Sequence, residues 1–174
     1  MNEPASPVEG QLSRTPSRAC LWGFCALPVA VLLLDQFTKY LVGVYLPLGK
    51  SIPALGPVLS LTLSHNSGAA LGLWPAAGRS LAAIAALFVV AILVWGRRYA
   101  AQNRCAGWGL YLLMGGALGN LVDRLRFGYV VDFLDLHFWP VFNVADIAVV
   151  TGAALILLGV ALGTQHGSCG CRGS

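Results

Sequence analysis

Asp132 and Asp146 carry the chemistry that this chain could perform. Asp132 lies in Tyr129-Val130-Val131-Asp132-Phe133-Leu134, and Asp146 lies in Phe142-Asn143-Val144-Ala145-Asp146-Ile147. Each has apolar neighbours on both sides, and a carboxylate taken out of water needs partners. They are 14 residues apart, with Gly128 and Pro140 punctuating the region, so the connection can fold back and bring the two carboxyls together. Two carboxyls held close do not both ionise easily, and the pair titrates as a unit. One can take a proton from water while its neutral partner donates to a carbonyl oxygen, which hydrolyses a peptide bond without a metal or an activated serine. The spacing permits this arrangement without establishing it. For Asp146 a plainer role exists: Asn143 as the N-cap of a helix, with Asp146 on its positive end. The two roles are compatible. Asp135, three residues after Asp132, reads as an ordinary surface charge.

Other polar residues stand close to this pair in sequence or in pattern. Asn120 and Arg124 are four apart and share a helix face. Arg124 has three open roles: pairing with Asp123, orienting a catalytic group, or holding an anionic lipid headgroup. Asn66 heads Asn66-Ser67-Gly68-Ala69-Ala70-Leu71-Gly72, whose Asn and Gly suit a turn. Asp35 and Lys39 are spaced for an intrahelical ion pair. Gly115 and Gly119 form a small-xxx-small pair suited to close helix packing. Metal chemistry finds no foothold: His65, His137 and His166 lack H-E-x-x-H spacing, and His166 with Cys169 and Cys171 lacks a four-ligand pattern. There is no G-x-S-x-G elbow and no phosphate-cradling loop, so no cofactor is expected.

Positioning these groups falls to a membrane protein. The 174 residues are 57% hydrophobic and only 10% charged, against about 25% charged in ordinary soluble domains. So few charges cannot coat a globule, which excludes a soluble enzyme, a disordered chain and, despite the net charge of +4, a nucleic-acid binder. Four stretches are apolar enough to span: residues 20–46 (broken by Asp35 and Lys39), 80–95, 106–122 and 144–163. A cleavable signal peptide over residues 20–34 is the alternative for the first, but no small-residue cleavage pattern follows it. Four spans place both termini on one side. Arg14, Arg18, Arg97, Arg98, Arg104 and Arg172 then face Lys50, Arg79, Arg124 and Arg126 across the membrane, and the short Arg97–Arg104 loop points to the cytoplasm. The cysteines lie on or near that side, where disulfides are not expected. Residues 59–64 alternate apolar and polar and read as a strand in the long outer loop. The expected organisation is a disordered cytoplasmic tail over 1–19, a membrane domain over 20–163 and a cytoplasmic tail over 164–174.

Three ordered motifs, Gly116-Ala117-Leu118-Gly119-Asn120-Leu121-Val122-Asp123-Arg124, Gly128-Tyr129-Val130-Val131-Asp132-Phe133 and Phe142-Asn143-Val144-Ala145-Asp146, resemble those of the bacterial lipoprotein signal peptidases (signal peptidase II). The Asn66 segment resembles that family's Asn-x-Gly-Ala-Ala-Phe box, with Leu71 in place of Phe, and Asp35-Gln36 with Lys39 resembles its first-helix motif. The resemblance implies a mainly α membrane protein. It would have four transmembrane helices, a small extracytoplasmic β-sheet and a short extracytoplasmic helix or loop before the last span. It implies an aspartyl endopeptidase of the bacterial inner membrane, active as a monomer without cofactor or metal. The substrates would be diacylglyceryl-modified prolipoproteins, cut before the lipidated cysteine. Asp132 and Asp146 match the catalytic pair. Asn66, Gly68, Asn120, Arg124 and Asn143 match residues lining the site, and Asp35 and Lys39 match a structural polar pair.

Two other classes compete on the residues alone. A proton- or ion-coupled transporter also places acids in the membrane, but it favours midplane sites and repeated halves, and no repeat is visible. A non-catalytic membrane scaffold has no use for two acids in apolar sequence.

Overall fold

The computed structural model describes residues 18–68, 77–96, 100 and 103–163. Both expected tails, apart from residues 18 and 19, lie outside the described residues. So do His166, Cys169 and Cys171, positions 69–72 of the Asn66 motif, and Arg97 and Arg98 of the short basic loop.

Helix α1, Arg18–Tyr45, is a long apolar run with Pro28 buried inside it. Leu33, Leu34, Phe37, Tyr40 and Val44 are exposed along it, a surface that water would not tolerate and acyl chains would. Gly49, at φ 74°, turns the chain into β1, Ser51–Leu55. A second turn at Gly56, φ 55°, leads to β2, Leu59–Asn66, so the expected strand is present and runs two residues further. Helix α2 spans Ala77–Ala91 and continues as a π-helical turn over Ile92–Gly96. Helix α3, Arg104–Phe127, starts where the Asn103 side chain accepts from the Ala106 N–H at 3.1 Å. It ends at Gly128, whose φ of 81° closes the last turn onto the Arg124 carbonyl. Strand β3, Val130–Asp135, follows at once, and helix α4 covers Val144–Gly163.

Three of these helices, over Ala26–Tyr45, Arg104–Phe127 and Val144–Leu162, are long and apolar enough to cross a membrane. The second expected span appears as a shorter apolar helix, Ser80–Gly96. Between β3 and α4 the described chain forms a loop without a helix, and its Phe138 and Trp139 are exposed.

The strands form one antiparallel sheet in the order β1-β2-β3. It sits at the end of the bundle where α1 and α3 finish and α4 begins. Helix α3 is central and packs on α1, α2 and α4. Its seam with α4 is backbone against backbone: a Cβ on Gly109 would lie 2.5 Å from the Gly152 carbonyl, and one on Gly152 would lie 2.5 Å from the Gly109 carbonyl. Gly115 and Gly119 pack closely as their spacing foretold, both against α1. A Cβ on Gly115 would lie 2.9 Å from the Pro28 carbonyl, and one on Gly119 would lie 2.6 Å from Asp35 Oδ2.

Candidate active site

The two aspartates arrive at one place by two local devices. Asp132 is carried on β3, opposite Ser64 of β2, and the residue two further along β2 on the same face is Asn66. The Asn66 amide donates to Asp132 Oδ2 at 2.9 Å. Asn66 is itself fixed by a turn: the Gly68 N–H donates to its Oδ1 at 2.9 Å. Gly68 has φ 76°, and a Cβ there would collide with Leu81 Cδ1, so both backbone and space require glycine.

The second device is the return of the chain. After Asp135 the loop closes through a bridge between Leu134 and Phe142. Phe142 N–H donates to the Leu134 carbonyl at 3.0 Å, and Leu134 N–H donates back at 2.8 Å. This sets Asn143 beside Asp132 at the start of α4. Asn143 and Asp146 then form a reciprocal capping box: the Asp146 N–H donates to Asn143 Oδ1 at 2.9 Å, and the Asn143 N–H donates to Asp146 Oδ2 at 3.2 Å. The Asn143 amide nitrogen also donates to Asp132 Oδ1 at 2.6 Å. One fully buried asparagine therefore touches both carboxyls.

Asn120 completes the ring from α3. Its Nδ2 donates to Asp146 Oδ1 at 2.8 Å, and its Oδ1 accepts from Asn143 Nδ2 at 3.1 Å. All donors around the aspartates are neutral amides or backbone N–H groups, which orient a carboxyl without cancelling its charge. Burial pushes Asp132 up to about 6, and the neighbouring Asp146 charge adds to this; the Asn66 and Asn143 amides pull the other way.

Behind the ring lies a buried ionic cluster. Lys39 contacts Asp35 Oδ2 and Asp123 Oδ2, each at 2.8 Å, and donates to Asn120 Oδ1 at 3.1 Å. The expected Asp35–Lys39 pair thus forms, with Asp123, one of the open partners offered to Arg124, as a third member. Asp123 does not pair with Arg124; it pairs with Lys39. Gln36, part of the first-helix motif but given no role of its own, donates to Asp123 Oδ1 at 2.8 Å from the same face of α1. The signal for both was present: polar side chains within otherwise apolar spans.

Arg124 stands at the rim. Its Nη1 donates to the Asn120 carbonyl at 3.3 Å, and no carboxylate lies within ion-pair distance of it among the described residues. Its guanidinium nevertheless lies within electrostatic reach of the Asp146, Asp132 and Asp123 carboxylates. Gly68 lies beside it. Asp135 lies outside the ring on the sheet, bound by Thr62 Oγ1 at 2.9 Å and the His137 N–H at 2.8 Å. That backbone N–H, with the Thr62 hydroxyl, holds its carboxyl below the usual range. No group of three or more His, Cys, Asp or Glu side chains fit to hold a metal occurs among the described residues.

Known proteins resemble this chain in sequence and in fold. The lipoprotein signal peptidase of Moorella thermoacetica is 43% identical over 133 residues, covering 76% of this chain and 89% of its own. That of Pelotomaculum thermopropionicum is 46% identical over 126 residues, covering 72% and 83%. A bacterial membrane enzyme solved by the in meso method at 2.3 Å superposes with a TM-score of 0.76 at 29% identity, covering 84% of this chain and 92% of that one. A second, solved at 1.9 Å, superposes at 0.74 with 30% identity, covering 79% and 91%. The signal peptidase (SPase) II profile matches residues 27–162, and the chain belongs to that peptidase family.

Proposed function

We propose that this protein is an aspartyl endopeptidase that removes signal peptides from diacylglyceryl-modified prolipoproteins, cutting before the lipidated cysteine. The observation that carries the reading is the shared grip of Asn143 on Asp132 and Asp146, with Asp132 raised to about 6. In the reacting form the dyad shares one proton, and Asp132, the acid with the raised value, carries it. Asp146, which receives only donors from Asn120 and Asn143, is the base. As water attacks the scissile carbonyl carbon, its proton passes to Asp146 and the Asp132 proton passes to the carbonyl oxygen. Collapse of the tetrahedral species breaks the C–N bond. The amine takes the proton from Asp146, and a hydroxyl proton returns to Asp132. The amides of Asn66 and Asn120 orient the carboxyls, and Arg124 steadies the rim where the substrate backbone enters.

In this reading the four apolar helices all cross the bacterial inner membrane, with both termini cytoplasmic and the sheet end extracytoplasmic. The exposed Phe138 and Trp139 between β3 and α4 suit the membrane–water interface at that end. Residues 20–163 form the peptidase domain and work as a monomer with membrane lipids around them.

The test is cleavage of a diacylglyceryl-modified prolipoprotein and of its unlipidated form by the purified full-length chain in detergent. Wild type should cut only the lipidated form. Asp132→Asn and Asp146→Asn should each lose about 1,000-fold or more in rate while unfolding at the wild-type temperature. Full activity in either variant overturns the dyad, and absence of cleavage by folded wild type overturns the function.

A further inference from the structure

The aspartyl peptidase reading leaves three buried ionisable groups without a task. Asp35 and Asp123 are almost inaccessible, and Lys39 is 5% exposed. Charges so placed are costly unless fully partnered, and a buried ion pair is a weak source of stability. What they hold is therefore informative.

Each carboxylate holds the backbone immediately before one of the two aspartates. Asp123 Oδ2 accepts from the N–H of Val131, which precedes Asp132, at 3.1 Å. Asp35 Oδ1 accepts from the N–H of Ala145, which precedes Asp146, at 2.9 Å. Lys39 bridges the two carboxylates at 2.8 Å each. Its remaining donor goes to Asn120 Oδ1 at 3.1 Å. An ammonium has three donors and no acceptor, so this set exhausts it. The last contact also fixes the sense of the Asn120 amide. With Oδ1 toward Lys39, Nδ2 faces Asp146; reversed, the amide would set a donor against the ammonium and an oxygen against the carboxylate.

Resting on that reading of the site, we propose that Lys39 is a positioning residue, the centre of a buried clamp that sets the two reacting aspartates and turns the Asn120 donor toward Asp146. Helix α1 supplies Lys39, Asp35 and Gln36 but none of the reacting groups. Through the clamp it reaches β3, α3 and the first turn of α4 together. Without the ammonium, Asp35 and Asp123 face each other as like charges, and the backbone before each aspartate loses its common anchor.

The experiment compares full-length wild type with Lys39→Met, a substitution of similar length, in detergent. It measures kcat and KM on a diacylglyceryl-modified prolipoprotein, with rates normalised to the folded fraction from size exclusion and thermal unfolding. The expected result is a fall in kcat of about 100-fold, the scale of a misplaced reacting group, with KM within about twofold of wild type. An unchanged kcat in folded Lys39→Met overturns the proposal. If that variant does not fold, Asp35→Asn/Lys39→Met removes both charges of the pair and keeps an amide oxygen for the Ala145 N–H. A folded double variant that stays slow supports the clamp, and one that regains wild-type kcat overturns it. Failure of both to fold makes Lys39 a folding residue and also overturns it. Absence of cleavage by wild type is a separate failure, of the peptidase reading itself, and removes the clamp with it.

Discussion

Asn143 donates its side-chain amide to Asp132 at 2.6 Å while its side-chain oxygen accepts from the first turn of the helix that carries Asp146. Helix capping and carboxyl orientation are thus one residue's work. Asn143→Ala removes both. The lost cap should cost about 1 kcal/mol, seen as a lower unfolding temperature, and cleavage should fall further than that loss explains. Wild-type cleavage with lowered stability would confine Asn143 to capping.

The pH dependence follows from the raised Asp132. Its folded value of about 6 lies above the ordinary 3.8, so the folded protein binds the proton more tightly than the unfolded chain does. Stability contributed by this group is therefore lost as pH rises from about 4 through about 6. As the proton donor, Asp132 should also give kcat/KM an alkaline limb set by its titration in the free enzyme. Removing the Asn66 donor, which pulls Asp132 down, should move that limb to higher pH. The check is a rate–pH profile of wild type against Asn66→Ala; an unmoved limb would assign the titration to another group.

Gly68 offers a local test of how Asn66 is held. Alanine there must adopt φ near 76° and clash with Leu81. The backbone strain alone is about 1–2 kcal/mol. Gly68→Ala should slow cleavage, and adding Leu81→Ala should recover part of the loss by relieving the clash but not the strain. Thermal unfolding and cleavage rates of both variants decide it.

Much of this was legible in the sequence, for identifiable reasons. Three of the four expected spans announce themselves because a membrane helix needs about 20 mostly apolar residues, and the second is a shorter apolar helix. The strand over 59–64 and the Asn143–Asp146 cap are local patterns with local causes. The pairing of Asp123 was not legible. Asp123 and Arg124 are neighbours in sequence, but adjacent helical residues point about 100° apart. Which one turns inward is decided by how α3 seats on α1, and that seating depends on contacts such as Gly119 against Asp35. The role of Gln36 was hidden for the same reason: it lies in what faces it across α1 and α3, 87 residues away in the chain.

The contact between Gly109 and Gly152 acts as the site's ruler. Asn120 lies about three turns along α3 from Gly109, on the helix whose distance from α4 this contact sets. A methyl group at either glycine must part the helices, and the parting carries along α3 to the bond between Asn120 and Asp146. Drift can therefore proceed freely on the lipid-facing surface, where one apolar side chain serves as well as another. At the seam it is confined to hydrogen, far from any atom that reacts.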